Sequence, residues 1–232
     1  MLKLFGNPSS PPSRLVHLIL KYIEYPLDQE NFEYINIDIF NNQQHEDDFK
    51  DLNPNRKVPV LKHQDFVLSE SFSIVKYILN LREVNQKIYP KNTNRKLKYV
   101  QQRAQIDMHL SCLNDIRQEL ITQIQNNTIL GMRGQQMPSE MQKHHNDTIN
   151  KHTSYYETFI DKKPYLVGNQ LTLADFGMYV QHLYHLLFKV DEQVKYPEFS
   201  KYIQKLKQNH QFFQEDEEQY IQSLLKIQSN MQ

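Results

Sequence analysis

Residues 53–79 constrain the fold of this chain more than any other segment. We interpret Val58-Pro59 as the entrance to a strand, Phe66 to Leu68 as a second short strand, and Glu70-Ser71 as the first turn of a helix. A proline at a strand entrance cannot donate to the ladder, and a buried X-Pro bond in a tight turn is the usual place for a cis peptide. The segment therefore predicts a β-β-α unit whose first strand follows a cis-proline turn.

The same segment offers groups that can hold a short peptide. Val58, ahead of the ladder, would turn an unpaired N–H and C=O outward, and such an edge binds an extended peptide in antiparallel fashion. The helix that begins at Glu70-Ser71 presents free N–H groups and a partial positive charge to a carboxylate, while the Glu70 carboxylate can meet an ammonium group. We therefore predict a site for a small peptide with a free amino acid at one end.

The first 40 residues supply the rest of a small mixed sheet. Leu2 to Phe5 reads as a strand, Asn7 to Ser13 as a Pro/Ser loop, and Arg14 to Glu24 as a helix with apolar residues on one face. Glu33 to Ile39 alternates polar and apolar residues, which predicts a second strand. The order β-α-β followed by β-β-α is the thioredoxin-like arrangement, a mixed sheet flanked by helices.

Strand signals disappear after a polar, proline-containing linker at residues 88–94. Apolar residues keep a three- and four-residue spacing from Ile106 onward, again from Pro138 to Ile160, and after Thr172, and the tail from Pro197 to Ile227 is also helical in pattern. The predicted fold class is therefore α/β followed by all-α, with an α/β domain at residues 1–84 and a helical domain at residues 93–232.

Composition excludes several classes of function. The 232 residues carry 27 basic and 27 acidic side chains, so no global field attracts nucleic acid or an anionic membrane. No apolar run approaches the roughly 18 residues of a membrane span, and the N-terminus runs straight into a strand without a signal peptide. The one cysteine, Cys112, excludes an internal disulfide and is expected to act as a small hydrophobe. We expect a cytoplasmic protein.

Thr172-Leu-Ala-Asp175 is a capping box, in which Thr172 accepts from the N–H of Asp175 and Asp175 reaches back to the N–H of Thr172. Loss of such a cap typically costs about 1 kcal/mol. Together with Tyr-Leu-Val-Gly at residues 165–168 and with residues 53–79, this motif resembles the glutathione transferases, and the resemblance covers nearly the whole chain. It implies their architecture, a thioredoxin-like domain followed by an α-helical domain.

The resemblance also implies a catalytic hydroxyl in the loop at residues 7–14. These enzymes stabilise the thiolate of glutathione, and a hydroxyl at a helix N-terminus does so by hydrogen bonding and dipole together. The loop contains neither Tyr nor Cys, whereas Ser10-Pro-Pro-Ser-Arg14 matches the Ser-x-Pro-x-Arg pattern of theta-class members. Ser10 is the expected thiolate partner, and Ser9 is the alternative.

Carried over residue by residue, the resemblance implies five glutathione contacts. They are the Val58 backbone for the cysteinyl unit, Glu70 and Ser71 for the γ-glutamyl unit, and Lys57 and His45 for the glycyl carboxylate. His45 lies one residue nearer to Asn53-Pro54 than the family spacing, so Gln44 is its alternative.

The function implied is conjugation of the glutathione thiolate to small apolar electrophiles that the helical domain presents, with glutathione peroxidase activity as a side reaction. Glutathione is then a co-substrate, no cofactor is expected, and the family resemblance implies a homodimer with a role in detoxification. The alternative is a non-catalytic binding or scaffold protein with the same fold. Such a protein has no physical need to retain Ser10, Val58-Pro59 and Glu70-Ser71 together.

The helical half contains a pair of histidines at a spacing that could hold a metal ion. His182 and His185 stand three residues apart without a nearby carboxylate or thiol, and such a pair is usually structural or exposed. No metal is expected. Asp107 lies where family members complete the neighbouring subunit's site, but an exposed helical Asp is the simpler interpretation.

Overall fold

The structure, a computed structural model, describes residues 1–81, 87–91, 96–132, 136–160, 164–187 and 190–230. The chain divides into two compact units, one formed by residues 1–93 with 210–232 and the other by residues 94–209. The predicted domains, 1–84 and 93–232, stay predictions. The compact units differ from them mainly near the C-terminus, because residues 210–230 pack with the α/β unit.

A four-stranded sheet forms the centre of the first unit. Its strands are β1 (Leu2–Gly6), β2 (Phe32–Asn36), β3 (Val60–His63) and β4 (Phe66–Ser69), in the spatial order β2-β1-β3-β4. β1 runs parallel to β2 and antiparallel to β3, and β3 runs antiparallel to β4. The thioredoxin-like arrangement predicted from the element order is therefore confirmed.

Helices complete the first unit and make up most of the second. In chain order they are α1 (Pro11–Tyr22), α2 (Asp47–Leu52), α3 (Ser71–Leu81), α4 (Leu97–Met132), α5 (Ser139–Ile160), α6 (Leu173–Leu187), α7 (Glu192–Lys195), α8 (Pro197–Asn209) and α9 (Gln211–Asn230). In the first unit α1 and α3 pack against each other, and Leu15, Ile19, Ile74 and Ile78 are fully buried. No helix in the described ranges is both long and apolar enough to cross a membrane.

Several predicted boundaries differ from the structure. α1 begins at Pro11, three residues before Arg14, because the first turn of a helix needs no N–H donors and so accepts the two prolines. β2 ends at Asn36 instead of Ile39, since its partner β1 ends at Gly6. The charged tail forms two helices, α8 and α9, that break at His210.

The cap of α6 is more extensive than the predicted capping box. Asp175 is fully buried, and its carboxylate accepts from Thr172 N (2.6 Å), Thr172 Oγ1 (2.8 Å), Leu166 N (2.8 Å) and the Tyr202 hydroxyl. The Thr172 hydroxyl therefore donates to Asp175, whereas the predicted role was to accept from its N–H. Burial raises the pKa of Asp175, while the hydrogen bonds from Tyr202, Leu166 and Thr172 act in the opposite direction.

Candidate functional site

The strand register brings three predicted site segments to one edge of the sheet, by which we mean the side where β1, β2 and β4 end and β3 begins. Phe5 near the end of β1 pairs with Val60 at the start of β3, and Val60 pairs with Ser69 at the end of β4. The loop after β1, the turn before β3 and the first turn of α3 therefore leave the sheet side by side. β2 is parallel to β1 and ends opposite Gly6, so the segment that follows β2 starts from the same edge.

Asn7 organises the loop after β1. Its side chain donates from Nδ2 to the Ile37 carbonyl (2.9 Å) and accepts at Oδ1 from the Ser9 N–H (2.9 Å). Its own carbonyl accepts from the Ser10 N–H (3.0 Å), and its N–H donates to Ser13 Oγ (3.3 Å). Asn7 had not been predicted to have a role, although an Asn at the start of a Pro/Ser turn is a signal for this geometry.

Gly6 is required where this loop leaves the sheet. A Cβ at this position would lie 3.0 Å from the Tyr34 hydroxyl oxygen and 3.1 Å from the Cβ and Oγ of Ser13. Only glycine leaves room for these two side chains to pack against the backbone, so the approach of the loop to α1 depends on it.

Ser10 occupies the N-cap position of α1. Its backbone is extended (φ −93°, ψ 112°), and its carbonyl accepts from the Arg14 N–H at 3.0 Å. The Ser10 side chain makes no capping hydrogen bond, although the residue is only 8% exposed. The neighbouring Ser9 is engaged differently, since its hydroxyl donates to Ser223 Oγ on α9 (3.2 Å).

The turn before β3 has the predicted geometry. The Val58-Pro59 peptide is cis, which confirms the prediction, and β3 begins only at Val60, so Val58 precedes the paired residues. Asn53 holds the turn together, donating from Nδ2 to the Lys57 carbonyl (2.7 Å) and accepting at its own carbonyl from the Arg56 N–H (2.8 Å). This structural role of Asn53 had not been predicted.

Glu70 and Ser71 begin α3 at the same edge. Glu70 is exposed and adopts a left-handed backbone conformation (φ 69°), and its carbonyl accepts from the Ile74 N–H at 2.9 Å. Ser71 is the first residue of α3 and is buried. A glutamate at positive φ is uncommon, and strained backbone of this kind is concentrated at functional sites.

The predicted contacts for the far end of a peptide lie on two loops. Lys57 is half-buried and directly precedes Val58. His45 is exposed and ends a one-turn 3-10 helix, Gln43–His45, while Gln44 is half-buried. The segment with Lys57 precedes β3, and the segment with His45 precedes α2.

An ion pair between α1 and α9 had no counterpart in the predictions. Arg14 and Asp216 are both buried, and the guanidinium donates to the two carboxylate oxygens, from Nε to Oδ2 at 3.1 Å and from Nη2 to Oδ1 at 2.6 Å. Their positions in the chain differ by 202 residues, so no local pattern joins them. The Arg in the Ser-x-Pro-x-Arg motif was the available signal, but it did not indicate the partner.

The surroundings of α1 are low in polarity. Burial and the nearby Lys21 charge lower the pKa of His17 to about 4, despite an opposing contribution from Asp216. Burial also raises the pKa of Tyr34. At neutral pH both side chains are therefore uncharged.

His182 and His185 do have a carboxylate beside them. Both direct Nδ1 at Glu192, at 2.9 Å for His182 and 2.7 Å for His185, so the prediction that the pair has no nearby carboxylate was wrong. Although burial alone would raise it, hydrogen bonds from the two imidazoles hold the pKa of Glu192 at about 2. The cluster joins α6 to α7, and no group of metal-binding side chains suited to an ion occurs among the described residues.

Comparisons with known proteins agree with this architecture. A model of the glutathione S-transferase N-terminal domain matches residues 4–86, and a model of the C-terminal domain matches residues 122–215. Glutathione S-transferase theta-2 of Mus musculus is 31% identical over 176 residues, which is 75% of this chain and 67% of the relative. Theta-3 of the same organism is 28% identical over 177 residues, 75% of this chain and 68% of the relative.

Solved structures extend the likeness to almost the whole chain. Glutathione transferase E6 from Drosophila melanogaster is 28% identical, with a TM-score of 0.80, and the match covers 98% of this chain and 96% of that one. An epsilon-class enzyme from the housefly, Musca domestica, is 26% identical with a TM-score of 0.77, covering 99% and 98%. Human glutathione transferase theta-2, solved with glutathione, has a TM-score of 0.82 at 23% identity, covering 99% and 91%, and shows the shared fold alone.

The α/β unit, the helical unit and the two family models define the class as a transferase that takes glutathione as its co-substrate. The chain belongs to the glutathione S-transferase family, and its curated relatives include theta-class members. The resemblance inferred from the sequence, and the transferase class it implied, are confirmed.

Proposed function

We propose that this enzyme conjugates the thiolate of glutathione to small apolar electrophiles and that Ser10 stabilises the thiolate. The observation that carries the proposal is the register Phe5–Val60–Ser69, because it gathers the Ser10 loop, the Val58 backbone and the Glu70-Ser71 turn at one sheet edge. These segments supply a hydroxyl, a peptide-binding backbone and a helix N-terminus, which are the groups that the three residues of glutathione require.

Ser10 suits the catalytic role better than Ser9 does. The Ser10 hydroxyl stands at the N-terminus of α1 without a capping bond, so it can donate to a sulfur while the helix dipole favours negative charge there. The Ser9 hydroxyl donates instead to Ser223. In the reaction the thiol proton leaves to solvent, the sulfur forms a bond to carbon, and the leaving group departs with its electron pair, so positioning and thiolate stabilisation suffice.

Glu70 and Ser71 would hold the γ-glutamyl amino acid, and Lys57 and His45 would neutralise the glycyl carboxylate. The same thiolate would reduce organic hydroperoxides, with a second glutathione completing the disulfide. We place the enzyme in the cytoplasm, where reduced thiols prevail, with a role in detoxification.

The proposal is tested by retention on immobilised glutathione followed by conjugation assays with a panel of halides and epoxides. Retention together with turnover of at least one electrophile supports a transferase. Retention without turnover of any electrophile favours the non-catalytic binding protein, and absence of both contradicts the site itself.

Changing the predicted γ-glutamyl contacts, Glu70 and Ser71 (the γ-glutamyl clasp), should weaken glutathione binding. Glu70→Gln or Ser71→Ala should cost about 1 to 3 kcal/mol of binding free energy, the usual range for a charge-assisted hydrogen bond, while the protein stays folded. Calorimetric titration measures the change. Glu30→Gln is the matched control, because this exposed glutamate precedes β2 and so lies at the opposite edge of the sheet. Unchanged affinity in both clasp variants would remove the assignment.

The enzyme should be a two-fold homodimer in which the α/β domain of one chain packs against the helical domain of the other. Exposed apolar side chains support this, including Phe66 and Val67 on the edge strand β4 and Leu97 on α4. Sedimentation velocity at micromolar concentration should show a dimer, and Phe66→Asp should shift it toward monomer, whereas Val194→Asp on α7 should not. A stable wild-type monomer would contradict the prediction.

A further inference from the structure

The buried face of α9 includes a carboxylate among its apolar side chains. Phe213, Asp216 and Tyr220 are buried, and Ser223 follows one turn later, so the four residues lie along one stripe of the helix. A carboxylate in such a stripe is rarely buried without a partner, because burying an isolated charge is costly. Its partner here is Arg14, which belongs to the first turns of α1.

The Arg14 guanidinium joins α9 to the loop that carries Ser10. Besides its two bonds to the Asp216 carboxylate, Nη2 donates to the Asp216 carbonyl (2.7 Å) and Nη1 donates to the Pro8 carbonyl (3.1 Å). The Tyr220 ring centroid lies 5.4 Å from the guanidinium carbon. Because a guanidinium is planar and its donors have a fixed geometry, holding one side of it on Asp216 also fixes where the Pro8 carbonyl is bound.

Pro8 and Ser10 are separated by one residue, and that residue is also tied to α9. Ser9 Oγ donates to Ser223 Oγ (3.2 Å), and Ser223 Oγ donates to the Tyr220 carbonyl (2.7 Å). The backbone N–H of Arg14 holds the Ser10 carbonyl from the other side, at 3.0 Å. The loop is therefore anchored immediately before Ser10 by α9 and immediately after it by α1.

We infer that Asp216 is a positioning residue for the thiolate site: acting through Arg14, it fixes the Pro8–Ser10 loop and with it the place of the Ser10 hydroxyl. This inference rests on the proposed function, in which Ser10 donates to the glutathione sulfur. Asp216 lies one residue beyond the part of the chain that the C-terminal family model matches. It is thus a contribution of the last helix to a site otherwise built from the first 71 residues.

The test compares Asp216→Asn, Asp216→Glu and Arg14→Lys with the wild type. In Asp216→Asn the carboxylate charge is gone, so kcat at neutral pH should fall about 10- to 100-fold, the effect of a small misplacement of a catalytic group. The bound thiol should titrate at higher pH, while the KM for glutathione should change less than about 3-fold, because the Val58 and Glu70-Ser71 contacts are untouched. Asp216→Glu should recover most of the kcat.

Arg14→Lys is the second variant, which keeps the test valid if Asp216→Asn does not fold. The ammonium keeps the charge pair but cannot bind Asp216 and the Pro8 carbonyl with one rigid group, so this variant should fold and show the same loss of kcat. Ile78→Val, a core change on α3, is the control for lost stability alone and should leave kcat unaltered. Wild-type kcat and thiol titration in either Asp216→Asn or Arg14→Lys would overturn the inference. It would also be overturned if Ile78→Val, compared at the same melting temperature, lost as much kcat as these two variants.

Amide hydrogen exchange separates this inference from the proposed function. Measured without glutathione, exchange at Ser9 and Ser10 should be faster in Asp216→Asn than in the wild type, and unchanged exchange would overturn the inference. If the wild-type enzyme fails to lower the titration midpoint of the bound thiol, the proposed function of Ser10 fails, whatever the exchange data show.

Discussion

Replacing Ser10 with alanine should raise the pKa of enzyme-bound glutathione toward the free thiol value of about 8.5 and reduce conjugation at neutral pH. A rise of one to two pH units to that value lowers the thiolate fraction at pH 7 roughly 8- to 25-fold, and conjugation should fall by about the same factor. Affinity for glutathione should stay nearly unchanged, since the Val58 backbone and the Glu70-Ser71 turn remain. Activity should recover as pH rises, because alkaline solvent supplies the thiolate that the hydroxyl no longer stabilises.

Ser9→Ala is the matched control for this experiment. The Ser9 hydroxyl is engaged with Ser223, and the Arg14–Asp216 pair still anchors the loop without it, so the thiol titration should hardly move. Thiolate absorbance of the bound peptide, followed against pH, is the measurement. A shift in Ser9→Ala but not in Ser10→Ala would transfer the role to Ser9, and no shift in either would favour the non-catalytic alternative.

Replacing Asp175 with alanine should remove a large part of the enzyme's stability. The substitution leaves the buried N–H groups of Leu166 and Thr172 and the hydroxyls of Thr172 and Tyr202 without their acceptor. Buried donors left unsatisfied cost roughly 1 to 3 kcal/mol each before relaxation, so we expect a loss of about 3 to 5 kcal/mol in the free energy of unfolding. That exceeds the roughly 1 kcal/mol of an ordinary cap. Urea denaturation followed by circular dichroism measures it.

Asp191→Ala provides the comparison with an ordinary cap. Asp191 is exposed at the N-cap of α7, where its side chain accepts only from the Val194 N–H at 3.2 Å, so its loss should cost about 1 kcal/mol or less. Equal losses in Asp175→Ala and Asp191→Ala would show that the buried network contributes nothing beyond capping.

Features set by neighbouring residues were predictable from the sequence. The alternation around β2, the cis peptide at Val58-Pro59 and the start of α3 at Ser71 depend on a few adjacent residues, so short patterns indicate them. The backward contact of Asp175 with the Thr172 N–H is local in the same way. The boundary of β2 failed because a partner decided it: β2 ends where β1 ends.

The residues of the candidate site stay a prediction from the sequence, whereas the residues that support its loops came only from the structure. Ser10, Val58, Glu70 and Ser71 belong to motifs that can be recognised along the chain, and the sheet register places their segments at one edge. Asn7 and Asn53 shape the two loops through hydrogen bonds to backbone groups, which their positions beside prolines only partly indicate.

By itself, the sequence determined the order of the elements, the two-domain class and the residue types in the loops of the candidate site, because each depends on residues close together in the chain. Only the tertiary structure decided that α9 packs with the α/β unit, that Asp216 meets Arg14, and that Glu192 joins His182 and His185. The physical reason is the same in each case. A buried charge takes whichever opposite or hydrogen-bonding group the packed core places within about 3 Å, and no periodicity along the chain encodes which group that is.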